Sequence, residues 1–152
     1  MKKYLFSFIF IIAFLTSCSK EDSLTNTDLL TKGPWILTSS IYDPPYPTDI
    51  GTIVDAYAVM PQYIRDDLFY YYSSGTYVNM EGASKYSPNN PDVWEMGVWS
   101  FNEDETMLYK GIIDYVNEYE ILQLDGSQLQ TRMYFADSLS NVYSVTETYK
   151  HP

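Results

Sequence analysis

The chain has 152 residues, one cysteine and one histidine. Each scarcity removes chemistry. His151 stands next to the final residue, so the body of the chain cannot assemble a Ser-His-Asp or Cys-His set. A His/Cys zinc cluster is excluded on the same ground. No Gly-rich phosphate loop stands between a strand pattern and a helix pattern. Cations are sparse: 9 Lys and Arg face 20 Asp and Glu, a formal net charge of −11. Nucleic acid and anionic headgroups are therefore poor partners. Long apolar runs are missing as well. The one strong run, Tyr4 to Leu15, falls short of the roughly 20 residues that a bilayer span needs. No long helical period links the apolar segments, which argues against a parallel sheet. The expectation is a protein with no enzyme activity, no metal and no cofactor.

What stands at the N-terminus is an address. Lys2 and Lys3, the apolar run and then Leu15-Thr16-Ser17-Cys18 form a secretory pattern that looks like a bacterial lipobox. Residues 1–17 would be the signal peptide and Cys18 the acylated new N-terminus. Removing 17 of 152 residues leaves 135, one domain's worth. With Lys2 and Lys3 gone, seven basic residues face twenty acidic ones, a net charge of −13. If Cys18 carries lipid, the mature chain has neither a free thiol nor a disulfide, although an exported protein is free to form them. Its stability must come from packing. Two or more acyl chains anchor stably where one does so marginally. Residues 18–27 form a polar tether, and about nine flexible residues reach roughly 15–18 Å. Ser19-Lys20-Glu21-Asp22 resembles the surface-export signal of Bacteroidetes-type lipoproteins; an ordinary soluble linker is the alternative. The expected location is the cell envelope, as an outer-membrane lipoprotein facing the periplasm or the surface.

Residues 28–152 alternate strand patterns with turn chemistry at short intervals, which points to an all-β barrel or sandwich. Asp28 to Gly33 predicts one helical turn with an Asp cap. Trp35 to Tyr42 predicts a strand with Trp35, Leu37 and Ile41 on one face, broken at Asp43-Pro44-Pro45-Tyr46-Pro47. Ile53 to Met60 has helical spacing and Pro61 would end it. Asp67–Tyr72 and Thr76–Met80 flank Ser73-Ser74-Gly75 as a hairpin. Glu81 to Asp92 is a loop. Trp94–Phe101, Thr106–Lys110, Glu118–Leu124, Gln128–Phe135 and Asn141–Lys150 complete eight strands in neighbouring, antiparallel order. Parity within the strands nominates Trp99, Phe101, Tyr119, Ile121, Met133 and Phe135 as inward-facing, lining a barrel interior or simply filling it. Asp66-Asp67 precede a strand, where successive side chains point to opposite faces and cannot both aim at one site without a bulge.

Several segments together resemble the lipocalin-like domain of small Bacteroidetes lipoproteins. They are Leu29-Leu30-Thr31 before Trp35; Met60-Pro61 before Asp66-Asp67 and Phe69; Gly75-Thr76-Tyr77; Glu81-Gly82-Ala83; Gly97 and Trp99 before Asp104-Glu105-Thr106; and Tyr119-Glu120-Ile121 before Leu124. The resemblance implies an eight-stranded antiparallel up-and-down barrel without enzyme activity. Members commonly carry a cysteine after Met-Pro-x and another after Glu-Gly-Ala, which look like disulfide partners. Here those positions hold Tyr63 and Tyr86, and the expectation is that the two rings meet.

Two functions suit such a barrel. Eight strands leave an interior that side chains fill or that holds one small ligand, so a monomeric carrier of a small hydrophobic or amphipathic molecule leads. The alternative is an interaction or glycan-binding module that uses exposed Tyr and Trp, with the barrel as scaffold. Tyr70-Tyr71-Tyr72 must put rings on both faces of one strand.

Overall fold

The computed structural model describes residues 24–112 and 114–152. The signal segment, Cys18 and the first part of the tether lie outside the described residues. Among the described residues there are three short helices, α1 (Asn26–Leu30), α2 (Ala56–Val59) and α3 (Gln62–Arg65). Its strands are β1 (Trp35–Thr48), β2 (Gly51–Asp55), β3 (Leu68–Tyr72), β4 (Thr76–Met80), β5 (Val93–Phe101), β6 (Met107–Ile112), β7 (Tyr115–Leu124), β8 (Gln128–Ala136) and β9 (Val142–Lys150). Every strand from β3 to β8 pairs antiparallel with its successor, β1 joins β3, and β1 also joins β9. That closes the expected eight-stranded up-and-down barrel, from which β2 projects as an arm paired only to β1.

Closure works because the strands turn alternate residues, mostly apolar ones, inward. Leu129, Thr131, Met133 and Phe135 of β8 stand opposite Tyr149, Glu147, Val145 and Tyr143 of β9. Leu37 in turn pairs with Tyr149. At one end these rows are packed solid: Leu30, Trp35, Tyr71, Trp99, Leu108 and Leu129 form a single buried cluster. Helix α1 plugs that end. Its cap is Thr25, whose Oγ1 accepts from the Asp28 N–H while Asp28 accepts from the Thr25 N–H, so Asp28 completes a capping box and is not the cap. Trp35 is fully buried beneath the helix and its Nε1 donates to the Leu30 carbonyl at 2.8 Å. The lone histidine packs on Trp35, ring centroids 4.0 Å apart and planes tilted by 31°, and holds the Pro34 carbonyl through Nδ1. His151 is thus a piece of the closed end.

Three expectations are corrected. The proline run does not break β1, which continues to Thr48. Pro44 and Pro45 fall in the irregular stretch between the Ile41↔Asp55 and Tyr46↔Ile53 pairs, and Pro47 stands on the arm with β2. A missing N–H is tolerated at such edges and bulges. Ile53 to Asp55 is strand, with only Ala56–Val59 helical. The Thr48–Gly51 turn folds this segment back on β1, and Asp55 then caps α2 by accepting from the Ala58 N–H. Spacing alone could not see that long-range pairing. Ile41 faces outward and Ser40 is buried, because a bulge between Leu37 and Ser39 shifts the parity of β1.

Tyr63 and Tyr86 do meet. The Tyr63 and Tyr86 rings lie edge to face, centroids 5.3 Å apart, tying α3 to the 81–92 loop. A double-mutant cycle with Tyr63→Ala and Tyr86→Ala is expected to show a coupling at the low end of about 0.5–1.5 kcal/mol, since Tyr86 is largely exposed. Additive single variants would mean that the contact contributes nothing. Gly97 offers a second test. A Cβ there would stand 2.7 Å from the Tyr77 ring and closer still to the Gly111 carbonyl. Gly97→Ala should therefore lower the urea midpoint by an overpacking cost of about 1–3 kcal/mol; an unchanged midpoint would contradict this account.

Candidate ligand cavity

Towards the other end the inward rows part and leave a cavity of about 430 Å³. Its base is built from the buried Tyr77, Asn79 and Tyr149; exposed Trp94, Ile64 and Tyr115 stand at its mouth. Below it, the space among Tyr71, Leu108, Leu129 and Thr131 is filled by side chains. The opening follows from strand pairing. Registered pairs between β1 and β3 stop after Trp35↔Phe69 and Ile36↔Leu68. Met60 and Ile64, from the α2–α3 segment, line the cavity beyond that seam.

The wall is not uniformly apolar. Glu95 (β5), Lys110 (β6) and Glu147 (β9) all line the cavity, and Asp67 joins them from the turn before β3. Glu95 Oε1 accepts from the Tyr77 hydroxyl at 2.6 Å and from Asn79 Nδ2 at 3.0 Å. Glu147 Oε2 accepts from the Tyr149 hydroxyl at 2.6 Å. Burial, with Glu147 beside it, pushes the Tyr149 phenol well above its ordinary range, so it stays a donor. Lys110 has no ion-pair partner among the described residues. Its ammonium instead lies 5.3–5.4 Å from the ring centroids of Tyr119, Phe69 and Tyr77, within cation–π range.

Asp66 and Asp67 do serve one site. The Ser84 N–H donates to Asp66 at 2.9 Å and the Gly82 N–H to Asp67 at 3.3 Å. Both residues lie in the turn between α3 and β3, where strand alternation does not yet apply. They clamp the 82–84 backbone beside the cavity. Burial pushes the Asp67 carboxyl up to about 6, with repulsion from Glu81 and Asp66 adding to it and the Gly82 N–H opposing it.

Of the six nominated lining residues, Tyr119 alone borders this cavity. Trp99 belongs to the packed end, where Phe101 and Ile121 lean on the same cluster. Met133 sits opposite Val145, while Phe135 joins a cluster of rings with Tyr42, Tyr46 and Tyr143. The residues that parity could have added are Glu95, Lys110 and Glu147. Each shares its face with a buried residue: Lys110 with Leu108 and Glu147 with Tyr149, two positions away, and Glu95 with Trp99, four positions away. A charge at an inward position was the available signal. Among the described residues, no group of three or more His, Cys, Asp or Glu side chains is placed to hold a metal ion.

No protein-family model matches the chain, and no curated protein sequence matches it. Solved structures similar to it include those of bovine odorant binding protein. The complex with undecanal has a TM-score of 0.45 at 13% identity, over 88% of this chain and 77% of that one. The complex with its natural ligand has a TM-score of 0.44 at 12% identity, over the same 88% and 77%. A deswapped triple mutant has a TM-score of 0.42 at 12% identity, over 79% and 72%.

The raised Asp67 pKa fixes the sign of a pH effect. Between its ordinary 3.8 and about 6 the folded state holds the proton more tightly than the unfolded state does. Stability from this group is therefore present at low pH and lost as pH rises through that window. Asp67→Asn keeps an acceptor for Gly82 and removes the titration. Its Tm should exceed the wild type's at pH 7, and the difference should shrink as pH falls to 4. A difference independent of pH would refute the assignment.

Proposed function

We propose that this chain is a lipid-anchored lipoprotein of the Bacteroidetes lipocalin-like kind, held in the outer membrane of the cell envelope through Cys18. Its barrel takes up one small amphipathic ligand, and it works as a binding protein rather than an enzyme. The observation that carries this reading is the cavity of about 430 Å³ beside a packed core. Ligand sites usually span about 300–1,000 Å³ and combine apolar walls with a few placed polar groups. Leu37, Met60 and Phe69 supply apolar wall here, and Asn79, Glu95 and Lys110 the polar groups. A scaffold alone has no need of an open interior, and burying charge without a partner is costly. The anchor rests on the lipobox-like sequence, and the polar tether would keep the barrel close to the membrane surface.

A second reading has an observation of its own. Tyr71 turns inward, while Tyr70 and Tyr72 turn outward and stack with ring centroids 6.5 Å apart and planes 12° from parallel. Sugar faces stack on such rings, so a glycan or partner protein would find a platform there. A glycan array answered by the wild type and lost with Tyr72→Ala would favour this reading.

The carrier reading is tested through Trp94, the one tryptophan on the cavity wall. A bound amphipathic ligand should shift tryptophan emission in the wild type and leave Trp94→Phe almost silent, with a 1:1 complex in native mass spectra. No shift from any apolar or amphipathic compound would end it. The anchor is tested by feeding cells labelled palmitate: label should enter the wild-type protein and be absent from Cys18→Ala.

A further inference from the structure

We propose that the cavity selects ligands carrying a protonated amine on a small apolar body. This rests on the carrier reading above and deepens it. Three carboxyl groups, Asp67, Glu95 and Glu147, line the space against one cation, Lys110. The interior is therefore negative overall, inside a chain that is itself strongly acidic, and that field draws cations into a low-dielectric cleft.

The hydrogen bonds sharpen the preference. Glu95 receives both of its protein donors on Oε1, and Glu147 receives Tyr149 on Oε2. Among the described residues no donor reaches Glu95 Oε2 or Glu147 Oε1, and neither oxygen is among the buried, unpartnered atoms. Both are open to a donor that comes from outside the protein. Asn79 adds a third acceptor. It is 2% exposed, its Nδ2 is committed to Glu95, and its Oδ1 is buried without a partner. The carboxylate beside Nδ2 fixes which end of the amide is the donor. A protonated amine brings several N–H donors to this array.

The rings point the same way. Phe69, Tyr77 and Tyr119 already hold one ammonium, that of Lys110, within 5.3–5.4 Å of their centroids. The site thus stabilises cationic nitrogen by ring faces as well as by carboxylates. A carboxylate ligand could reach Lys110 only by entering the same small space as Glu95 and Glu147. Lys110 offsets one of the three negative charges and leaves the site net negative.

Three probes with a common phenylethyl body separate the possibilities: 2-phenylethylamine, 2-phenylethanol and 3-phenylpropionate. Isothermal titration of the purified full chain at pH 7 and low salt should show the amine binding about tenfold tighter than the alcohol, the worth of one charge-assisted hydrogen bond. The carboxylate should bind weakest. Glu95→Gln keeps an acceptor for Tyr77 and Asn79, so the fold survives, yet it should remove the amine's advantage over the alcohol. Glu147→Gln should do the same independently. Lys110→Met should strengthen amine binding. Tightest binding by the carboxylate, or equal binding by amine and alcohol, would overturn the amine proposal and leave the carrier reading standing. If none of the three binds while neutral N-phenyl-1-naphthylamine does, the outcome is the same. If nothing binds at all, both fall.

Discussion

The structure depends on one strand finding partners on both sides. β1 is 14 residues long because it closes the barrel and then runs past it. Its first two residues join β3, Ile36 to Asp43 follow β9, and its far end carries the β2 arm. An unclosed sheet would leave two rows of backbone N–H and C=O groups bare, an invitation to aggregate. Closure also brings Trp35 next to His151, so the start and the end of the barrel seal the same mouth. With no second cysteine in the chain, this pairing and the cluster beneath it do what a covalent bridge would otherwise do.

The same strand decides where the barrel is open. β3 leaves β1 after a short contact, and the chain before it is spent on α2 and α3. Those helices are too short to fill the gap, so Met60 and Ile64 border a cavity instead of a core. The interior is divided accordingly. At the sealed end large rings and leucines interlock; at the other end tyrosine hydroxyls reach towards carboxylates and a lysine lies among rings. Tyrosine serves both halves because its ring packs and its oxygen donates. That explains why a chain with 16 tyrosines can carry charge inside a barrel of this size.

Much of the architecture was legible in the order of residues. The β3–β4 hairpin shows in Ser73-Ser74-Gly75, and Gly75 adopts the positive φ that the turn requires. The β7–β8 hairpin shows in Asp125-Gly126, where Asp125 accepts from the backbone of Ser127 and Gln128. Alternation along β8 puts Met133 and Phe135 on the face of the buried Leu129 and Thr131. What was not legible depended on distant partners. Prolines in β1 look like a break until β9 and β2 are beside them. Ile53 to Asp55 look helical until the segment folds back as an arm. Ile41 looks internal until a bulge shifts the parity.

The candidate site divides along the same line. Sequence parity alone marks Tyr119 as inward, and it carries the information that Glu95, Lys110 and Glu147 share faces with buried residues. Composition and local pattern determine the acidic character, the β class, the strand count of the barrel and the lipobox-like Cys18, because each is a property of residues or of short windows. Only the tertiary structure decides which inward residues meet as solid core and which face empty space. Trp99, Phe101 and Ile121 fall to the first and Tyr119 to the second. The reason is geometric: all inward positions are equivalent along a strand, and they become different only when closure sets how far apart the opposing walls stand.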